Sequence, residues 1–393
     1  KELMISKDLL GKDTIKRIYP IVIEADLKWD DKMMPDWLRE YTLKYIPKPT
    51  KATQLIRKRI VEIAWDLNPK IEERNSVFVG RNKEIDEFEN RKYDYDMETA
   101  IAYIAAGIPK SGRKSLLNQC FIKSHITESN YRASKIELGM YDGIEDLIIW
   151  INDLGFSDHV DLTGFMKMEI AKKYELLAKL LDDISKNQEI LMIEDKGCII
   201  THNGIMCDWF VQAIRMMKET NRTVLGIASK FRLGLPVRNE QIYVINVPLL
   251  NKMECAGLLQ KYLELEEITL SREEFKNYSG MLKGFPEQVK YTCSIISKYG
   301  AERAYDFSSE IENYDAEIIS QLLRDLEESE EDINFLRFLV EIDTISYQSL
   351  QTMLTDSRFV KEKVNKFYIN GIIEFVGIAN EYIKINSSIK DYI

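Results

Sequence analysis

The chain is poor in metal-binding side chains. Its three histidines (His125, His159, His202) are scattered, too far apart to suggest a metal site. Its five cysteines (Cys120, Cys198, Cys207, Cys255, Cys293) form no CxxC pair, which reads as reduced, mostly buried thiols of a cytoplasmic protein rather than a disulfide framework. No stretch of about 18 apolar residues occurs, so no helix is expected to be long and apolar enough to span a membrane, and none of the given residues reads as a signal peptide. Basic residues do not dominate. A net charge of −10 argues against a nucleic-acid binder acting through a general basic surface, which leaves only a local patch. Internal repeats and low-complexity tracts are absent. What remains is 393 residues, 45% hydrophobic and 30% charged, enough for a sizeable core and for about two to four domains of roughly 100–200 residues each. Lys1 is not a starting methionine and the opening residues read like mid-domain sequence, so the chain is expected to be a piece of a longer protein.

Apolar periodicity organises the rest. The run Ile18–Ile23 suits a buried strand. A polar, acidic loop follows, then Met34-Pro35-Asp36-Trp37-Leu38. Leu55, Ile56, Ile60, Ile63, Ala64 and Leu67 make a helical stripe over residues 51–67, ended by Asn68-Pro69. Residues 70–77 read as a polar linker. Strands at 100–106, 135–138, 190–193, 223–228 and 242–247 then alternate with helices at 115–123, 165–187 and 207–218, the pattern of a parallel α/β sheet. From Lys252 the pattern is helical, with turns near Thr269-Leu-Ser and Gly280, and the acidic stretch 309–332 reads as a solvated helical connector. Helices at 332–341, 346–354 and 359–368 precede two strands, 372–376 and 382–385, joined by Gly377-Ile-Ala-Asn. Helices followed by a small hairpin describe a winged helix.

Four short segments carry the chemistry, in an order that matters. Gly107-Ile-Pro-Lys-Ser-Gly-Arg-Lys-Ser115 has the spacing of a phosphate loop, in which glycines let backbone N–H groups point inward, a lysine reaches the β- and γ-phosphates and a Ser or Thr hydroxyl holds Mg2+. Gly107 and Gly112 have the required gap, Lys110 and Ser111 lie between them, and Leu116 follows in a helix whose N-terminus faces phosphate. The lysine position holds Arg113 and the hydroxyl position holds Lys114, with Ser115 one residue late. Arginine still neutralises phosphate, but its planar fork differs from an ammonium point charge. Further on, Glu194 and Asp195 close an apolar strand, at the carboxyl edge where α/β sheets place ligands. The first acid, with Ser115, would hold Mg2+, and the second would orient or deprotonate water. Ser229, Lys230 and Arg232 follow the next strand, within reach of a γ-phosphate.

Together with Phe78-Val79-Gly80-Arg81 and Gly284-Phe285-Pro286, these segments resemble the signal-transduction NTPases with numerous domains, the STAND class (NB-ARC or AP-ATPase-like, related to NLR proteins). The resemblance covers about residues 76–393. It implies a P-loop NTPase sheet with a helical lid and a C-terminal winged helix. Phe78, Val79, Gly80 and Arg81 would contact adenine through the backbone, Pro286 would pack on it, and Asn386 would stand where that class has the histidine touching the ADP β-phosphate. The first 70 residues resemble the last third of a TIR domain, through the strand Ile18–Ile23, Pro35-x-Trp37-Leu38 and the closing helix with Arg57 and Trp65. TIR enzymes cleave NAD+ with a glutamate upstream of that strand, so no catalytic TIR residue is carried over.

The expected division is 1–70, the end of a TIR-like domain; 71–250, the nucleotide-binding domain; 251–325, the helical lid; and 326–393, the winged helix. The expected function is a switch binding ATP or ADP, with Mg2+ as an accompanying ion, that controls oligomerisation of an N-terminal TIR effector in bacterial defence. Hydrolysis is expected to be slow or absent. Expected partners are other copies of the chain, through the NTPase and TIR regions, and an unknown activating ligand or protein, sensed by a domain beyond Ile393. Two other readings stay open: a nucleotide-free scaffold, and a DNA-binding regulator whose helix 359–368 presents Lys361, Lys363 and Lys366.

Overall fold

The computed structural model describes residues 77–393 except 157–163, 237–238, 327–328, 355 and 391, and before them residues 2–12, 18, 20–22, 32, 34–40, 44–45, 49–69 and 73. Most of the linker expected at 70–77 lies outside the described residues, as do residues 19 and 23 of the first expected strand. The N-terminal part contains helix α1 (Glu2–Gly11), a parallel pair β1 (Ile21–Val22) and β2 (Lys44–Tyr45), and helix α2 (Pro49–Leu67). Proline at the first position of α2 loses no hydrogen bond, because that N–H has no intrahelical acceptor. Gln54 and Arg57 donate to Ser134 Oγ, each at 3.4 Å, and the Arg132 guanidinium lies 5.7 Å from the Trp65 ring centre. These contacts seat α2 on the edge of the central sheet.

That sheet follows helix α3 (Asn82–Lys92) and is built from β3 (Ala102–Ala106), α4 (Arg113–Lys123), β4 (Ser134–Leu138), α5 (Ile144–Asp153), α6 (Ile170–Lys186), β5 (Leu191–Asp195), α7 (Asp208–Met216), β6 (Leu225–Ser229) and β7 (Ile242–Asn246). Its order is β4-β5-β6-β3-β7, and every pair is parallel. Both faces of the central strands are covered, so all five residues of β3 and of β6 are buried, whereas the edge strand β4 alternates buried and exposed residues. The sequence pattern leaves α3 unread because only Ile85 and Phe88 anchor an otherwise charged segment, yet both are buried. The helix read over 165–187 is broken: a 3-10 turn at Phe165–Lys167 gives way to extended backbone at Met168, and α6 starts at Ile170. β5 runs on through both acids instead of stopping at Ile193.

Next come α8 (Lys252–Leu265), α9 (Arg272–Gly280), α10 (Pro286–Tyr299), α11 (Ala301–Ala304), α12 (Ser308–Glu312) and α13 (Ala316–Arg324). Reciprocal capping pairs, Asn251 with Glu254 and Ser271 with Glu274, fix the starts of α8 and α9. The acidic stretch 309–332 is not merely a solvated connector. Ile311 of α12 is buried, and so are Ile319, Leu322 and Leu323, because three-to-four-residue spacing puts the apolar side chains of α13 on one face. The chain ends with α14 (Glu330–Ile342), β8 (Thr344–Ser346), α15 (Tyr347–Met353), α16 (Ser357–Ile369), β9 (Ile373–Val376), β10 (Tyr382–Ile385) and α17 (Ser387–Lys390). The hairpin β9–β10 forms as read, and a third strand, β8, pairs antiparallel to β10. Three residues are too short a run for periodicity to reveal. Phe335, Leu336, Val360, Val364 and Phe367 share one apolar cluster with Ile108 of the glycine loop and Phe285, so the C-terminal region packs onto the mouth of the sheet.

Candidate functional site

Register lines up Leu138, Asp195, Ser229, Ala106 and Asn246 in one row at the carboxyl end of the sheet, and the loop 107–112 leaves from that row. β6 lies between the loop strand and the acidic strand. The loop needs its glycines for space and for sign of φ. A Cβ on Gly107 would sit 2.4 Å from the Val247 carbonyl oxygen, and Gly112 has φ +92°, a left-handed value costly for other residues. Gly112 is also the N-cap of α4 and brings no side chain to the first-turn N–H groups, which leaves them available to an anion.

Arg113 opens α4 and is buried, with Nη1 lacking any hydrogen-bond partner. Burial pushes its pKa down to about 10 against the pull of Glu194 and Asp195. A buried guanidinium nitrogen without an acceptor is costly, and a phosphate oxygen would relieve that cost. Ser111 Oγ is likewise buried without a partner, and the Ser111 carbonyl accepts from Arg81 Nη2 at 2.9 Å. Arg81 in turn is held by its own backbone N–H, which donates to Glu254 Oε1 at 2.9 Å. The segment 78–81 thus ties the loop to α8, with Phe78 against the sheet cluster and Val79 against the helical one.

Pro286 starts α10 and faces the loop: a Cβ on Gly112 would be 3.4 Å from Pro286 Cγ. Lys110 lies 3.8 Å from Glu287 and 5.9 Å from the centre of the Tyr314 ring. Two helix N-termini therefore converge on the loop. Leu116 is buried behind it.

Other expected positions are used differently. Asp195 is fully buried; its Oδ1 accepts from the N–H groups of Gly197, Cys198 and Ile199, and its Oδ2 from Ile200 N–H and Ser229 Oγ. A carboxylate saturated by five donors anchors the turn after β5 and has no lone pair directed at a water, so the expected role as base does not fit it. Arg232 is held by the C-terminal region. It is fully buried, forms a bidentate pair with Glu374 of β9 at 2.6 and 3.0 Å, and its guanidinium lies 5.4 Å from the Tyr368 ring centre. Asn386 caps the final turn: its Oδ1 accepts from Ser388 N–H at 3.2 Å, and its own N–H donates to the Ile372 carbonyl at 2.8 Å. Nothing described brings its side chain to the loop.

Glu194 is ion-paired with Lys114, so the acid expected to hold Mg2+ already has a cation. Ser115 is exposed on α4. Among the described residues no group of three or more His, Cys, Asp or Glu is placed to hold a metal ion. The residues present do not fit a protein-held Mg2+. Lys114, Ser115, Glu194 and Phe78 instead line a cavity of about 730 Å³ between α4 and β4–β5, to which Trp65 and Arg132 also contribute. Gly107–Arg113 and Pro286 lie beside this cavity and do not line it.

One residue escaped sequence reading. Asp315, in the acidic stretch, is 1% exposed and neither carboxylate oxygen has a hydrogen-bond partner. Burial raises its pKa to about 7, with Lys110 and Lys283 opposing and Glu287 reinforcing. Only the fold makes this acid differ from its neighbours. Because its folded pKa lies above the unfolded one, the stability linked to its proton is present at low pH and lost as pH rises toward 7. Asp315→Asn is expected to raise the melting temperature by roughly a few degrees at pH 8 and by progressively less toward pH 4. A pH-independent change, measured by scanning calorimetry, would show the carboxyl to be solvated.

The helix expected to touch DNA in the regulator reading loses most of its charge footprint. Lys363 and Lys366 of α16 are paired with buried Asp332, at 2.6 and 3.0 Å, which leaves Lys361 as the exposed cation of the three. The thiols Cys120, Cys198 and Cys255 are buried and pushed up to about 12, 12 and 11 by desolvation, so they are inert packing groups.

No protein-family model and no curated protein matches the sequence. Solved structures do match. A Walker-type ATPase of Pyrococcus abyssi is 11% identical, over 80% of this chain and 95% of that one, with a TM-score of 0.51. The ORC2 protein of Aeropyrum pernix, solved with ADPNP and ADP, is 10% identical over 80% and 92% with a TM-score of 0.47. A STAND protein with a tetratricopeptide-repeat sensor from Pyrococcus horikoshii is 18% identical over 81% of this chain but 42% of that one, with a TM-score of 0.38. At such identities the likeness concerns the fold, and only the first of the three reaches a score that supports an argument. With the strand order and the loop geometry, it makes the central part of this chain a P-loop NTPase fold.

Proposed function

We propose that the chain is a nucleotide-binding switch in which the phosphates of ADP or ATP occupy the loop 107–115 between α4 and α10. The carrying observation is Arg113 Nη1, a buried donor with no partner at a helix N-terminus. Arg113 takes the place of the usual loop lysine, Phe78–Arg81 and Pro286 flank the base, and the helices 252–324 serve as the lid. The region 330–393, helices with a three-stranded antiparallel sheet, is the winged helix that reports nucleotide state. Hydrolysis is slow or absent, because Asp195 is saturated and Glu194 is paired. The assignment of residues 1–70 to the end of a TIR effector, the assembly of copies and a role in bacterial defence rest on the sequence resemblance; the parallel pair β1–β2 is compatible with a TIR sheet.

The test is the nucleotide content of freshly purified protein, released by denaturation and separated by chromatography. Stoichiometric ADP or ATP is the expected result. Protein that carries none and gains no thermal stability from added ADP or ATP would leave the dead scaffold as the better reading.

A further inference from the structure

Phosphate loops of the usual composition place a hydroxyl after the lysine so that Mg2+ can bridge protein and phosphates. In this chain that position is Lys114, and its ammonium already reaches the acid at the strand end, Glu194. The other acid, Asp195, has all its directed lone pairs filled by Gly197, Cys198, Ile199, Ile200 and Ser229. One cation thus joins the first turn of α4 to the end of β5, the two elements that a divalent ion would otherwise bridge to the phosphates. Lys114 is 46% exposed and Glu194 28%. A pair so exposed contributes little by itself, so the ammonium is free to be shared with an incoming anion. Its stem leaves the helix one residue after Arg113, so a planar guanidinium and a point charge flank the same helix N-terminus.

We propose that this site binds nucleotide phosphates without a divalent ion, the Lys114 ammonium supplying the charge that Mg2+ supplies elsewhere. The inference rests on the nucleotide-binding reading above and specifies its cofactor requirement. Lys114 bridges Glu194 and the bound phosphates, and Arg113 binds them from the buried side. A divalent ion then gains no protein ligand on binding and competes with an ammonium already in place.

Calorimetric titration of the whole chain, stripped of nucleotide, with ADP and with ATP tests this in excess EDTA and in excess MgCl2. The expected affinities in the two buffers differ by less than about twofold, a coupling near zero. Lys114→Ser restores the hydroxyl and frees Glu194. It is expected to bind at least about tenfold more weakly in EDTA and to recover most of that loss with Mg2+, a coupling of ordinary size. Its nucleotide-free melting temperature should match that of the parent, because the side chain is half exposed. Parent protein that binds about tenfold more tightly with Mg2+ overturns the inference while leaving the nucleotide site intact. A Lys114→Ser variant indistinguishable from the parent in EDTA also overturns it. Absence of binding in both buffers would instead sink the nucleotide-binding reading itself.

Discussion

Replacing Arg113 with alanine is expected to abolish stabilisation by ADP or ATP. A ligand at 100 times its Kd adds about 2.7 kcal/mol to folding stability. Loss of a charge-assisted contact in a buried site is expected to weaken binding by roughly 100-fold, about 2.8 kcal/mol. At the same ligand concentration the added stability would fall to about 0.4 kcal/mol, below what a melting curve resolves. The apo protein should survive the change. Asp195 keeps its five donors and Glu194 keeps Lys114, so no acid is left buried and bare. Arg113→Lys tests charge against shape: a lysine, in the slot where such loops usually have one, should retain binding. Full stabilisation of the alanine variant by nucleotide would remove Arg113 from the site.

The second large effect is expected at the joint between the sheet and the C-terminal region. Arg232 follows β6, and Glu374 lies on β9. Their bidentate pair is buried on the arginine side and half covered on the other, with Tyr368 over the guanidinium, Arg232 N–H donating to the Ile369 carbonyl at 3.0 Å and Lys230 paired with Asp325 at 2.7 Å nearby. Glu374→Ala would leave a fully buried guanidinium without its carboxylate, a change that costs about 3–5 kcal/mol in comparable pairs. The expected result is not global unfolding but release of the C-terminal region, seen as a larger hydrodynamic radius and faster proteolysis near residues 325–331. Replacing both partners, Arg232→Met with Glu374→Leu, should restore the compact form, because two apolar groups carry no desolvation penalty. Unchanged sedimentation and cleavage in Glu374→Ala would mean that the apolar cluster of Ile108, Phe285 and the C-terminal helices holds the region alone.

The two residues show how far local spacing carries and where it stops. Arg113 was legible because the phosphate-loop spacing is local: two glycines, a strand before and a helix after fix its position within a few residues. Arg232 reads as a phosphate ligand because it follows a strand at the carboxyl edge, and it does follow β6. Local pattern does not reveal that its guanidinium is taken by Glu374, because that partner is 142 residues away. Asp195 fails in the same manner. Sequence puts an acid at the strand end, but only the turn 197–200 folding back over it decides that its oxygens face backbone N–H groups and not solvent.

By itself the sequence determined the succession of the five strands of the α/β core, the glycine loop and its two departures, and the final hairpin, all signals carried by residues within one turn or one strand of each other. The tertiary structure alone decided the strand order β4-β5-β6-β3-β7, the burial of Asp315 within an acidic stretch, the pairing of Lys363 and Lys366 with Asp332, and the capture of Glu194 by Lys114. Each of these depends on which distant group arrives opposite a side chain, and the energy of a charge is set by that neighbour and by the water it displaces.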